Sequence, residues 1–149
     1  MILDDFKVFP RAGRLIGIDW GARRTGVAVS DESREFVFAR APIVSQGRVE
    51  LVRAVADLAR NERAAGIVIG LPLRTDGSES DTTKMVREFA DALAHETDTP
   101  IIFIDETLSS TAAAEEMGRA TVREIKEKLD SNAARVILEN AIDLISRHN

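Results

Sequence analysis

LIGIDWGARRTGVAVSD, residues 15–31, holds two apolar runs joined by a link rich in glycine and arginine. The runs cover residues 15–20 and 26–29, and a single acid, Asp19, lies inside the first. Two such runs with a short glycine-bearing link predict an antiparallel hairpin. In the plainer reading Gly21 and Gly26 supply positive φ at its turn; in the functional one the turn lets a phosphate backbone come close while an arginine grips it. A carboxylate held between Ile18 and Trp20 costs free energy to bury without a partner. Asp19 therefore marks a candidate site at a strand end. Its plainer reading is an acid that accepts hydrogen bonds from the amides of its own glycine turn.

The pattern extends outward from this hairpin. A third strand is expected over residues 36–39, which makes a three-stranded antiparallel meander. A helical pattern follows over residues 49–65, with Leu51, Val52, Val55, Leu58 and Ala59 on one face and Gly66 as its terminator. IVIG, residues 67–70, is wholly apolar, as a central strand covered on both faces must be. Residues 71–80 contain Pro, Gly and small polar residues and read as a loop. Ser80 or Asp81 is expected to cap a helix over residues 81–95. IIFI, residues 101–104, is a further buried strand. A short helix over residues 111–117 and a last helix over residues 131–146 complete the reading.

Strands separated by helices become parallel neighbours through right-handed crossovers. The expected fold is thus α/β: one mixed five-stranded sheet, an antiparallel meander followed by parallel strands, flanked by helices in a single domain, residues 1–149. The strand ending at Asp19 should be central, with IVIG beside it. In such sheets ligands gather where loops leave the strand ends.

Composition narrows the chemistry. The chain has 149 residues, no cysteine and two histidines, His95 and His148. Thiolate chemistry is excluded, and a histidine-based triad or metal centre is disfavoured. The net charge of −5 argues against indiscriminate binding to nucleic acid. Charge is unevenly spread, however: residues 1–60 carry ten Lys and Arg against eight Asp and Glu, and residues 61–149 carry ten against seventeen. No stretch resembles a signal peptide or a membrane span, so the expected location is cytoplasmic, with no membrane partner.

Four acids stand at element ends: Asp19, the neighbours Asp105 and Glu106, and Asp130. Carboxylates that cluster repel one another unless cations neutralise them, and oxygen-only donor sets favour hard ions such as Mg²⁺ or Mn²⁺. Paired ions of this kind assist phosphodiester cleavage. Separately, Asp105 and Glu106 read equally well as ordinary strand-end acids, and Asp130 before Ser131 reads as a helix cap. Arg23 and Arg24 at the hairpin tip, and Arg74 in the loop over residues 71–80, are candidate phosphate grips, since arginine forks match phosphate oxygens. Solvated loop cations are the alternative. GARRTG lacks the Lys-Ser/Thr pair of a Walker loop.

Four blocks now occur in a telling order: GIDWGARRTGVAVSD (residues 17–31), IVIGLPLRTDGSESDTT (67–83), IDETLSSTAAAEEM (104–117) and KLDSNAARVIL (128–138). Together they resemble the YqgF/RuvX family, whose members are described as nucleases of pre-16S rRNA or as Holliday junction resolvases. The similarity spans residues 14–145. It implies a ribonuclease-H-like fold. It further implies that Asp19, Glu106 and Asp130 form the catalytic, metal-holding set, with Asp105 as an additional candidate ligand and Mg²⁺ or Mn²⁺ as cofactor. The family arginine after the first glycine turn falls on Arg24, and the Gly-Leu-Pro loop on Gly70, Leu71 and Pro72.

The chain departs from the family pattern after Asp-Glu, where Thr107, Ser109 and Ser110 stand in place of an arginine and two threonines. It departs again at Ala133, one turn beyond Asp130, where related junction resolvases carry a second acid. The reading implied is a metal-dependent endonuclease acting on structured precursor rRNA, as monomer or homodimer. Cleavage of branched DNA is an alternative and would call for a dimer, because two symmetric cuts need two sites. A noncatalytic nucleic-acid-binding module is another. An ATP-binding half of the actin or hexokinase kind is disfavoured, because it needs a second related domain.

Overall fold

The computed structural model describes residues 1–106 and 122–147, with the side chains of 1–106 and 132–147. Six strands occur among these residues: β1 (Ile2–Leu3), β2 (Leu15–Asp19), β3 (Arg24–Ser30), β4 (Val37–Val44), β5 (Gly66–Pro72) and β6 (Ile101–Glu106). They form one sheet in the order β1-β6-β5-β2-β3-β4. The α-helices among the described residues are α1 (Arg48–Asn61), α2 (Asp81–Glu96) and α3 (Val122–Arg147). β2 is central: it runs parallel to β5, with Ile18 opposite Ile69, and antiparallel to β3, with Asp19 opposite Gly26. β6 lies parallel to β5 on its far side.

The sheet has six strands where five were expected. The extra one is Ile2–Leu3, which pairs with Ile101 and Ile102 at the outer edge of β6. Two residues are too short to show a period, so sequence pattern alone does not reveal them. β4 is also longer than expected. It runs on through Pro42, which is tolerated because β4 is an edge strand and the register shifts there, between Thr25 and Val27 of β3.

Each face of the sheet has its own apolar cluster. α1 and α2 cover one face, where Ile16, Ile18, Ile67, Ile69, Leu71 and Ile101 meet Val55, Val86, Phe89 and Leu93. α3 covers the other, where Leu15, Ala28, Val68 and Ile102 meet Ala134, Ile137, Leu138 and Ala141. Ser80 caps α2 through a capping box with Thr83, as its sequence position suggests. α1 stops earlier than expected. Arg63 takes the left-handed conformation at φ 51°, a position where glycine is usual, while Gly66 already belongs to β5. A Cβ on Gly66 would lie 2.3 Å from the Phe9 ring, so close packing explains this glycine.

α3 begins nine residues before its expected start, at Val122. Residues 122–130, VREIKEKLD, contain strong helix formers and neither Gly nor Pro, so nothing stops the helix there. Asp130 therefore lies inside α3, and the capping role suggested by Asp130-Ser131 does not hold. The short helix expected over residues 111–117 lies outside the described residues.

Candidate active site

Asp19 ends β2 and Glu106 ends β6, at the same end of the sheet, with β5 between them. Side chains alternate along a strand. Asp19 shares the α3 face with Leu15 and Gly17, and Glu106 shares it with Ile102 and Ile104. The two acids thus project on the same side of the sheet. Asp105 falls on the opposite side by the same alternation and is exposed. Adjacent acids of one strand end are thereby sorted: one joins Asp19 and the other does not.

The space between Asp19 and Glu106 comes from glycine. Gly26 stands directly opposite Asp19 on β3. On β5, the Ile18–Ile69 pairing puts Gly70 beside Asp19 in the next position of the register. Asp19 thus has glycine on both flanks. A Cβ on Gly70 would sit 2.6 Å from Glu106 Oε2, so the Glu106 carboxylate lies back over β5 towards β2.

That crowding of acids has an electrostatic consequence. Burial, and then the charge of Asp19, push the Glu106 carboxyl up to about 8. Desolvation and a like charge both disfavour the second anion, and a proton on Glu106 relieves them. A divalent cation would do the same task. The donor set is oxygen only, half-buried and anionic, which suits a hard ion in kind. Among the described residues no group of three His, Cys, Asp or Glu side chains gathers around one point.

The Asp130 side chain lies outside the described residues, but its place on α3 is fixed by the helix. α3 runs antiparallel to β2: Ala134 and Leu138 lie over Gly17, and Ala141 and Ile145 share a cluster with Leu15 and Phe9. One turn before Ala134, about 6 Å along the axis, comes position 130. Two residues beyond Gly17, about 7 Å along β2, comes Asp19. Helix and strand therefore carry these two positions towards the same end of the sheet.

The turn after Asp19 is tight. A Cβ on Gly21 would lie 2.1 Å from the carbonyl oxygen of Arg24. Neither Gly21 nor Gly26 has positive φ, contrary to the plainer reading of the turn; Gly21 is required for space. The Thr25 hydroxyl, fully buried, bridges the turn at 3.3 Å from both the amide and the carbonyl of Gly21. Ser45 N donates to the Arg23 carbonyl at 3.0 Å and ties the end of β4 to the turn. Arg23 is exposed and Arg24, opening β3, is half-buried.

The loop after β5 is equally ordered. Leu73 N donates to the Glu106 carbonyl at 3.3 Å, Arg74 N donates to Ser78 O at 2.9 Å, and Gly77 turns the chain at φ 85°. The Thr83 hydroxyl donates to the Pro72 carbonyl and pins α2 to the end of β5. Arg74 is exposed, with its guanidinium 3.5 Å from the Ser78 hydroxyl. Arg23, Arg24 and Arg74 thus border the end of the sheet that holds Asp19 and Glu106.

The expectation did not single out Gly17, took Gly26 as a turn residue, and placed Gly70 at the end of a buried strand and in the Gly-Leu-Pro loop without assigning it a role in spacing the acids. A glycine inside a buried strand signals close approach of another group, and both GID and GIVIG carry that signal.

This geometry has relatives. A family model described as "RuvX: Holliday junction resolvase" matches residues 13–144. A protein of Maridesulfovibrio salexigens named "Putative pre-16S rRNA nuclease" is 40% identical over 128 residues, covering 85% of this chain and 95% of its own length. One of the same name from Acidiphilium cryptum is 35% identical over 147 residues, covering 97% and 93%. Among solved structures, Thermus thermophilus RuvC in complex with a Holliday junction substrate superposes with a TM-score of 0.57 at 13% identity, covering 91% of this chain and 97% of that one. That likeness concerns the fold, which is ribonuclease-H-like. With the family model spanning nearly the whole chain and relatives this similar over most of their length, the chain belongs to the RuvX family of nucleases.

Proposed function

We propose that this chain is a divalent-metal-dependent endonuclease that processes precursor 16S rRNA, with residues 1–149 acting as one nuclease domain. The observation that carries the reading is the pairing of Asp19 and Glu106 on one side of the sheet, where burial and the neighbouring Asp19 charge push the Glu106 carboxyl up to about 8. Asp19 and Glu106 would hold Mg²⁺ or Mn²⁺, and Asp130, on the α3 turn approaching the same strand end, supplies the third acid. Asp105, on the other side of β6, is left as an outer-sphere neighbour at most. Bound metal supplies an activated water and a counter-charge for the leaving oxygen.

The chain's own residues provide the rest. Sheet pairing fixes the backbones of Asp19 and Glu106, so their Cα positions need no rearrangement on binding. Arg24, opening β3, and Arg74, on the loop after β5, contact phosphates, and Arg23 adds positive charge at the hairpin tip. The substrate assignment rests on the names of the relatives from Maridesulfovibrio salexigens and Acidiphilium cryptum. The family model's description favours a second reading, cleavage of four-way DNA junctions.

The test is incubation of labelled precursor rRNA and of a labelled four-way junction with Mg²⁺, Mn²⁺ or chelator. Wild type should cut the RNA only with metal. Asp19→Asn should lower the rate at least about 100-fold, since one removed charge-stabilising group costs roughly that much, while its melting temperature is retained. A folded Asp19→Asn protein with full activity sinks the metal-nuclease reading. Cutting of the junction alone moves the substrate to DNA, and binding without cutting by wild type favours a noncatalytic module.

A further inference from the structure

We infer that Gly70 is a positioning residue for the nuclease site: the absence of a side chain there forms the seat in which the Glu106 carboxylate lies over β5 beside Asp19. The inference rests on the proposed metal site and goes further by naming what shapes it.

Backbone conformation does not demand glycine at this position. Gly70 lies within regular β5, paired with Ile104 of β6, and is not among the residues with positive φ. A side chain there would displace the ends of two neighbouring side chains. A Cβ at residue 70 would lie 2.5 Å from Ile137 Cδ1 and 2.6 Å from Glu106 Oε2. Both contacts are shorter than packed atoms tolerate, since carbon atoms in contact sit about 3.5–4.0 Å apart. The two neighbours differ in kind. Ile137 belongs to the apolar cluster under α3. Glu106 is the acid whose placement beside Asp19 defines the candidate site.

The two clashes can be separated by mutation. Gly70→Ala alone meets both. Ile137→Val removes the Cδ1 methyl and leaves Cγ1, which lies 3.2 Å from the added Cβ, a contact that small side-chain movement relieves. Gly70→Ala/Ile137→Val therefore relieves the apolar clash and keeps the carboxylate clash. A purely structural glycine would be rescued by this pair; a glycine that seats Glu106 would not.

The experiment measures melting temperature, Mn²⁺ affinity by calorimetry and RNA cleavage for wild type, Gly70→Ala, Gly70→Ala/Ile137→Val, Glu106→Gln and the triple combination. The expected result is that Gly70→Ala/Ile137→Val regains thermal stability yet binds Mn²⁺ at least about tenfold more weakly than wild type, the scale seen when groups supporting a metal ligand are altered. Adding Glu106→Gln to that pair should cause no further loss, because both changes act on the same carboxylate. In a crystal structure of the metal-free double variant, the Glu106 carboxylate should have left its seat over β5.

Wild-type Mn²⁺ affinity in the rescued double variant, additive losses in the triple variant, or a Glu106 carboxylate still in place would each overturn the inference. A wild type that binds Mn²⁺ but cuts no RNA fails the nuclease reading and leaves the affinity comparison intact. A wild type that binds no Mn²⁺ fails the metal reading, and the crystal structure then decides the role of Gly70.

Discussion

The two faces of the sheet are built to different thickness. Under α1 and α2 the strands present Ile16, Ile18, Ile67, Ile69 and Leu71, large side chains that fill the layer from end to end. Under α3 the same two strands present Gly17, Gly66 and Gly70 among Leu15 and Val68, against Ala134 and Ala141 of the helix. The first face is a packed wall. The second is thin, and α3 descends until the Ala134 carbonyl would lie 2.8 Å from a Cβ on Gly17. The carboxylates emerge on the thin face. Room for an acid, and for what an acid binds, exists where the sequence has removed side chains.

The largest test of this contrast places one methyl-rich side chain on each face. Gly17→Val drives atoms into the α3 backbone and Leu138, whose Cβ is 2.8 Å from the new Cβ position. It should cost about 3 kcal/mol or more, at the upper end of overpacking. Ile18→Val, one residue along and buried on the other face, should cost about 1 kcal/mol. Denaturant titration reads both. A loss for Gly17→Val no larger than that of the methyl deletion in Ile18→Val would mean that α3 yields to an added side chain and that the thin face is not set by close contact.

A smaller effect sharpens the electrostatic side. In metal-free protein, folding raises the Glu106 carboxyl from 4.5 to about 8. The folded state then holds a proton that the unfolded state has released, so this contribution is complete below about pH 4.5 and is lost as pH rises through about 8. Glu106→Gln keeps the shape and removes the titration. At pH 8.5 it should be more stable than wild type by on the order of 2–4 kcal/mol, with the gap closing by pH 4.5. Parallel stability profiles for the two proteins would show that Glu106 is solvated. Saturating Mg²⁺ should close the gap at high pH as well.

The smallest effect lies at the rim. Arg24→Ala should still fold, as a cooperative thermal transition would show. It should reduce the salt dependence of RNA binding by roughly one phosphate contact. Binding that is unchanged at several salt concentrations would remove Arg24 from the nucleic-acid surface and confine the site to the acids.

Much of this was legible locally. IVIG and IIFI lack alternation because both their faces are covered, and that alone made them interior strands. Ser80 announced the start of α2 through its capping chemistry. Asp19 was conspicuous because a strand does not bury an acid idly. Other features were not local. β1 exists because the outer edge of β6 accepts two residues of the N-terminal segment, a pairing across about one hundred positions that leaves no periodic trace. Residues 122–130 have the composition of a helix, yet Asp130-Ser131 imitates a cap, and the local imitation misled.

The sequence by itself determined the alternation of strands and helices, the strand-end position of the acids and membership of the family. These depend on periodicity, capping and residue order, which are properties of neighbours along the chain. Only the tertiary structure decided that Glu106 rather than Asp105 joins Asp19, that Gly26 and Gly70 flank Asp19, and that Glu106 retains its proton to about pH 8. Those outcomes depend on strand order, register and desolvation, and each requires groups far apart in the chain to meet.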